Sequence, residues 1–343
     1  MSQILRTTLE HLLERRHLSE AQADDLLVAL TDPDVAPALA GALLAALRCN
    51  GITADEVRGF ARAMRRLARK PSLSPGTALV DVVGTGGDAS GSLNLSTGAA
   101  LLAAACGVRI AKHGNRSISS RSGSADLLAA LGMPMPLDEL AAGRCLDATG
   151  FTFFFAPHYH PALKAIAPVR AALGVRTVFN VLGPLTNPAE PPFHLIGAYS
   201  LPAAELLAAT LAGMPIERAF VVHGEPGWDE PTPVGPFALF DVRPGRVERS
   251  VRSAALFGLP SCQARELAGG DAAFNAQAIR AVFAGHDRGA HRAALLLGTA
   301  LVLELIGREH DPHRAAECAA QAIDSGRASA LLAELAAFEG NAA

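Results

Sequence analysis

The chain has 343 residues, of which 50% are hydrophobic and 18% charged, with a formal net charge of −3. So much apolar side chain and so little net charge exclude a disordered polypeptide and a dedicated polyanion binder, while leaving room for a local basic pocket. The longest apolar runs, 35–47 and 293–303, fall short of the roughly 20 residues that cross a bilayer, and the glutamate-bearing N-terminal stretch lacks a signal-peptide core, so a cytoplasmic globular enzyme is expected. At about 100–200 residues per domain the length suggests two domains. The five cysteines are odd in number and form no CxxC pair, which supports neither a disulfide framework nor a zinc knuckle.

Residues 1–70 read as four helices. Ile4, Leu5, Leu9, Leu12 and Leu13 recur at helical spacing and predict one apolar face. Ser19 with Gln22, and Thr53 with Glu56, make capping-box starts, and Gly51 sits where a helix would stop. After Pro71, Pro75 and Gly76 the pattern changes to strand, glycine loop, helix. The β-branched run Leu79–Val83 predicts a strand, followed by glycines and a helix from about Thr97. Val108–Ala111 predicts a second strand, followed by a polar loop and a helix over Ala125–Leu131. Phe151–Phe155, Leu195–Tyr199, Ala219–His223 and Phe237–Val242 supply further strands. The expected fold is therefore a small all-helical domain plus a large α/β domain with a central, mostly parallel sheet, whose function lies at the carboxyl ends of the strands.

Two loops concentrate anion-binding groups. The first runs Asp81-Val82-Val83-Gly84-Thr85-Gly86-Gly87-Asp88 and continues to Asn94-Leu95-Ser96-Thr97 at a helix start. Close glycines let backbone N–H groups reach an anion, and a helix N-terminus adds partial positive charge. A phosphate cradle, a weak dinucleotide fingerprint over Gly84, Gly86 and Ala89, and a plain turn all fit this segment; a P-loop does not, because no GxxxxGK[ST] occurs. The second loop, Ala111–Ser120, brings Lys112, His113, Asn115, Arg116 and three serines, among them Ser119. Loops after neighbouring parallel strands lie side by side, so the pair points to phosphate more strongly than either alone. Asp229 and Glu230 follow a later strand and read either as an exposed acidic turn or as oxygen ligands for a hard cation such as Mg²⁺.

Taken together these segments resemble the anthranilate phosphoribosyltransferase family. The resemblance rests on GTGGD at Gly84–Asp88, N-x-S-T at Asn94–Thr97, KHGNR through GSAD over Lys112–Asp126, and the proline-rich segment Ala156–Pro188. It extends to G-x-DE at Gly227–Glu230, GGDA..NA at Gly269–Ala276 and DSGRA at Asp324–Ala328, and so covers nearly the whole chain in order. The resemblance implies transfer of phosphoribosyl from 5-phosphoribosyl-1-pyrophosphate (PRPP) to the amine of anthranilate in tryptophan biosynthesis, by a Mg²⁺-dependent cytoplasmic homodimer. It also implies a small domain of residues 1–70 joined by about 160–184, and a large domain of 71–159 and 185–343.

Carried over position by position, Gly84, Gly86, Gly87, Asp88, Asn94, Ser96, Thr97, Lys112 and Ser119 would hold PRPP. Ser96, Asp229 and Glu230 would hold the metal. Gly84, Asn115, His160 and Arg170 would line the anthranilate site, with Lys112 and Arg170 as the catalytic residues. A guanidinium fork suits a carboxylate better than an ammonium does, which makes the Arg170 assignment chemically sensible. Pro161 and Pro168 would each start a helix and fix His160 relative to Arg170.

Four segments depart from the family pattern: Gly91–Asn94, Cys49–Ile52, Pro231–Pro236 (with Val234 where Thr is usual) and Leu297-Gly298. They bear on the acceptor and the rate more than on the fold. The alternatives are a pyrimidine nucleoside phosphorylase of related architecture, transfer to another aromatic amine, and a non-catalytic nucleic-acid-binding paralogue. The last would show a broad basic face and no acidic pair.

Overall fold

The computed structural model describes residues 2–76, 78–116 and 121–340. Four helices open the chain: α1 (Ser2–Leu13), α2 (Glu20–Leu30), α3 (Pro37–Asn50) and α4 (Ala54–Leu67). Both expected capping boxes form, at Ser19/Gln22 and Thr53/Glu56, and Gly51 ends α3 at φ +82°. The apolar face of α1 is narrower than expected. Leu5 and Leu12 are buried, but Ile4 and Leu13 are 68% and 66% exposed, because only one stripe of so short a helix meets α3. Helices α2 and α4 cross at Gly59, where a Cβ would lie 2.2 Å from the carbonyl oxygen of Glu20.

Strand and helix then alternate through β1 (Leu79–Gly84), α5 (Leu95–Ala105), β2 (Arg109–Gly114), α6 (Ser124–Ala130), α7 (Glu139–Thr149) and β3 (Phe151–Phe155). Short helices α8 (Ala156–Tyr159), α9 (Ala167–Leu173) and α10 (Phe179–Leu182) follow, then β4 (Phe193–Gly197), α11 (Leu201–Ala212) and β5 (Arg218–Gly224). A hairpin of β6 (Phe237–Arg243) and β7 (Arg246–Arg252) leads to α12 (Ala272–Phe283), α13 (Ala290–Leu305), α14 (Pro312–Asp324) and α15 (Arg327–Ala337). The seven strands form one sheet in the order β3-β2-β1-β4-β5-β6-β7. The first five are parallel, and β6 and β7 run antiparallel at the edge.

Several elements differ from the sequence expectation, among them β4, which spans Phe193–Gly197 rather than Leu195–Tyr199. Strand β2 runs on through Lys112 and His113, which were expected in a loop, because both side chains are buried against neighbouring strands. Helix α5 starts two residues early, at Leu95, since that leucine packs into the core. The edge strand β7 was not expected: its sequence RVERSVR is charged and exposed over nearly its whole length, so it carries no apolar alternation. Pro244-Gly245, a two-residue connection with Gly245 at φ +71°, was the available signal for that hairpin.

Two hydrophobic cores flank the sheet, because successive residues of a strand point to opposite faces. Val82, Leu195, Phe220 and Leu239 face the core built with α5, α7 and α12–α15. Val83, Ile196, Val221 and Phe240 face the other, which takes in α11, residues of α1–α4, and Ile166, Val169, Val178 and Phe179. The five cysteines are free, and burial pushes the Cys106 and Cys145 thiols up to about 11.

Candidate active site

Strand order reverses at β1: β2 and β3 lie on one side, β4 and β5 on the other. Such a switch point opens a crevice at the carboxyl ends of the strands. Strands β1, β4 and β5 each end in glycine there, and the segment carrying Asp229 and Glu230 lies directly across them. A Cβ on Gly84 would come within 2.4 Å of Asp229 Oδ2, one on Gly197 within 1.6 Å of the Asp229 carbonyl oxygen, and one on Gly224 within 2.2 Å of that of Glu230. The acidic pair sits where it does because these strand ends carry no side chains.

The pair is buried and tied to the first loop. Asp229 Oδ2 accepts from the Gly86 N–H at 2.6 Å, and Glu230 Oε1 accepts from the Ser96 N–H in the first turn of α5 at 3.0 Å. The Asp229 N–H donates to Asp88 Oδ2 at 3.3 Å. Burial, with Asp88 beside it, raises the Asp229 carboxyl to about 7. Burial, with Asp229 beside it, raises Glu230 to about 8. Two carboxylates held in this way crowd negative charge that Lys112 offsets only in part. Among the described residues no third His, Cys, Asp or Glu closes a metal cage around them. An open, all-oxygen donor set of this kind fits Mg²⁺, which keeps waters and takes phosphate oxygens as further ligands.

Lys112 lies below this edge, on β2, only 2% exposed, and its ammonium donates to the carbonyl oxygen of Val82. Burial pulls the ammonium below its usual range, while Asp81, Glu230 and Asp229 pull it back up. Asp81 is fully buried on β1; burial raises its carboxyl to about 6, although it accepts from Asn187 Nδ2 at 2.9 Å and from the His113 N–H at 3.1 Å. Sequence reasoning counted His113 among the anion-binding groups, but buried and neutral it is not a cation for phosphate; Asp81 and Asn187 were assigned no role, although an acid inside an apolar strand run was a legible sign.

A second cluster lies towards the helical domain. The rings of His113 and His160 meet edge to face, with centroids 5.1 Å apart. His113 Nδ1 lies 3.2 Å from the Gly183 carbonyl oxygen, which can only accept, so this nitrogen carries the proton and Nε2 is left as an acceptor. Neither ring nitrogen of His160 is in bonding geometry with a partner among the described residues, although the nearby Thr186 backbone pulls its value back up a little. Burial pushes His113 down to about 3 and His160 to about 4, so both are neutral at pH 7. Pro161 and Pro168 each stand in the first turn of a helical segment as expected, one 3₁₀ and one α. Arg170, on α9, lies with its guanidinium 4.6 Å over the ring of Phe179, has no carboxylate partner among the described residues, and is pulled below its usual range by burial.

The remaining expected residues lie on the two loops. Gly86 and Gly87 adopt φ +69° and +73°, and the Gly87 carbonyl accepts from Arg176, whose guanidinium stacks 3.7 Å from the Tyr199 ring centroid. Arg48 Nη1 in turn donates to the Arg176 carbonyl at 2.9 Å, linking α3 to the glycine loop. Asn94, Ser96 and Thr97 form the start of α5, and Asn115 is exposed just beyond β2. Ser119 lies outside the described residues. Of the departures, Leu93 is buried in the core and Ser92 bonds Ser90, so neither change opens a gap. The Pro231–Pro236 segment is held by Thr232 Oγ1 on the Glu225 carbonyl at 3.0 Å. Gly298 lets α13 close on α5, where a Cβ would fall 2.8 Å from that of Ala99.

A helical bundle beside an α/β sheet, with acids and anion-binding loops at its switch point, defines a phosphate-handling transferase. Family models agree: residues 6–68 match "Glycosyl transferase family, helical bundle domain" and residues 76–329 match "Glycosyl transferase family, a/b domain". An anthranilate phosphoribosyltransferase of Pelotomaculum thermopropionicum is 43% identical over 338 residues, covering 98% of this chain and 97% of the relative. That of Solibacter usitatus is 45% identical over 332 residues, covering 96% and 97%. The crystal structure of the Thermus thermophilus enzyme superposes with a TM-score of 0.90 at 39% identity, covering 96% of this chain and 98% of that one. The Saccharomyces cerevisiae enzyme in complex with PRPP and Mg superposes at 0.88 with 27% identity, covering 96% of each. The chain belongs to the anthranilate phosphoribosyltransferase family.

Proposed function

We propose that the chain transfers the phosphoribosyl group of PRPP to the amine of anthranilate, giving N-(5-phosphoribosyl)anthranilate and pyrophosphate in tryptophan biosynthesis. The observation that carries this reading is the buried, charge-deficient pair Asp229–Glu230, held against the first turn of α5 and facing Lys112. The relatives' names and the PRPP and Mg complex of the yeast enzyme support it.

In this reading Ser96, Asp229 and Glu230 hold Mg²⁺, which when bound neutralises charge on the pyrophosphate oxygens. Gly84, Gly86, Gly87, Asp88, Asn94, Thr97 and Ser119 cradle PRPP, and Lys112 stabilises the leaving group from below. Arg170, with no acidic partner among the described residues, takes the anthranilate carboxylate; Gly84, Asn115 and His160 complete that pocket, with His113 forming part of its wall. The amine attacks C1 of the ribose as the bond to pyrophosphate breaks, and then gives up a proton. The amine is nucleophilic while neutral, so its orientation matters more than a strong base. The small domain comprises residues 1–70 with about 160–184, the large domain 71–159 and 185–343, and the protein acts as a cytoplasmic homodimer.

Steady-state kinetics of Arg170→Ala test the acceptor assignment. Loss of a charged hydrogen bond raises the anthranilate KM about tenfold or more and leaves the PRPP KM within about twofold. An unchanged anthranilate KM would remove Arg170 from the site.

A further inference from the structure

The segment Gly269–Ala276 has no part in the site as described, yet it is docked on the back of the first loop. The Gly269 N–H donates to the Gly91 carbonyl at 2.8 Å, the Leu93 N–H donates to the Leu267 carbonyl at 2.9 Å, and Ser92 and Ala268 pair as an isolated bridge. From this segment Asn275, 1% exposed, donates through Nδ2 to Asn94 Oδ1 at 2.8 Å, while its own Oδ1 accepts from the Gly270 N–H at 2.7 Å. Asn94 Nδ2 donates to the Ser122 carbonyl at 3.0 Å, which reaches across to the second loop.

The sense of this chain is fixed at both ends. A backbone N–H can only donate, so the Asn275 oxygen must face Gly270 and its amide nitrogen must face Asn94. A carbonyl can only accept, so the Asn94 nitrogen must face Ser122 and its oxygen must face Asn275. Neither side-chain amide can flip without breaking a bond. Asn94 is also the N-cap residue of α5, where an asparagine oxygen ordinarily accepts from an N–H of the first turn. Here it makes no such bond, and the Ser96 N–H is given to Glu230 instead.

We propose that Asn275 is a positioning residue for PRPP: it draws the Asn94 oxygen away from the helix, leaves the first-turn N–H groups of α5 to Glu230 and the substrate, and turns the Asn94 amide nitrogen towards the second loop. The inference rests on the assignment of Asn94 to the PRPP site. Asn275→Asp keeps the acceptor for Gly270 but has no proton to give Asn94, whose amide then reverses and presents oxygen to the second loop.

The test is a kinetic double-mutant cycle over Asn94→Ala and Asn275→Asp, with melting temperatures recorded. Asn94→Ala alone raises the PRPP KM about tenfold, as does Asn275→Asp, with the anthranilate KM within about twofold, and the double variant is no worse than Asn94→Ala. Should the aspartate variant not fold, Asn275→Ser, too short to reach Asn94, reports the same split. An Asn94→Ala enzyme with unchanged PRPP KM overturns the PRPP assignment of Asn94 and with it the inference. A normal PRPP KM in both Asn275 variants, or effects that multiply in the double variant, overturns the inference alone.

Discussion

Lys112 and His194 show how single buried groups shape this site. Lys112 lies among three carboxylates but, among the described residues, hydrogen-bonds only a backbone carbonyl, so its ammonium is not tied up in an ion pair beneath the crevice. Lys112→Met removes that charge and keeps the apolar stem. Turnover should fall about 10²–10³-fold, the loss typical of an electrostatic donor. Asp81, already raised to about 6, takes up a proton once the ammonium is gone, so the variant should still melt cooperatively by circular dichroism. His194, on β4 opposite Asp81, is fully buried with neither ring nitrogen in bonding geometry with a partner among the described residues, and burial beside Arg65, against a weaker pull from the Pro191 backbone, pushes it down to about 3. An unfolded histidine takes a proton below about 6.5, and this native one refuses it until about 3. Its contribution to stability is therefore whole above pH 6.5 and declines as pH falls, by about 1.4 kcal/mol per unit. Asp81, with a raised value, drifts in the opposite sense in both proteins, so the comparison with a variant isolates the histidine. Urea denaturation of the wild type and His194→Leu at pH 7 and pH 5 should show the wild type losing ground to the variant at the lower pH; parallel losses would contradict this.

Among the elements, the decisive feature is that β1, β4 and β5 stop in glycine beneath the loop carrying Asp229 and Glu230. Gly197→Ala places a methyl 1.6 Å from the Asp229 carbonyl oxygen, a contact that only movement of the loop relieves. The expected result is a rise of about tenfold or more in the Mg²⁺ concentration needed for half-maximal rate, measured by titrating the metal at saturating PRPP; a normal Mg²⁺ requirement would show that the loop position is not critical. The strands themselves were legible because Leu79–Val83 and Phe151–Phe155 are short runs of β-branched or aromatic residues, each broken by a single polar side chain and bounded by turn residues. Strand β7 was not, because an edge strand needs no apolar face and RVERSVR has charge where a central strand has leucine or valine. Pro161 and Pro168 were legible as helix starts, and residues 160–176 are accordingly broken into a 3₁₀ turn and α9, since each proline that starts a turn also ends the one before it.

For the molecule as a whole, the sheet divides two cores, and the helical bundle shares its core with one face of that sheet rather than standing apart. Phe179 stands at this junction: its ring lies 6.2 Å from that of Phe60 on α4 and under the Arg170 guanidinium. Arg170 is thus placed by the helical part, and the acidic pair by the sheet. The composition of the site was legible where chemistry clusters in sequence, as in Gly84–Asp88, Lys112–Asn115 and Asp229–Glu230. It was not legible where the fold brings distant residues together. Nothing in the sequence places Asn187 on Asp81, Asn275 on Asn94 or Arg176 on Gly87, since each pairing spans 89 residues or more and depends on side-chain direction within a packed core.

The most direct test of the central claim follows anthranilate fluorescence in a solution of purified protein, PRPP and Mg²⁺, with PRPP omitted or EDTA added in parallel. The signal should fall only when both PRPP and Mg²⁺ are present, and should hold steady in an Asp229→Asn, Glu230→Gln variant that melts like the wild type. Steady fluorescence with the wild-type protein, under conditions where calorimetry detects PRPP binding, would contradict anthranilate as the acceptor.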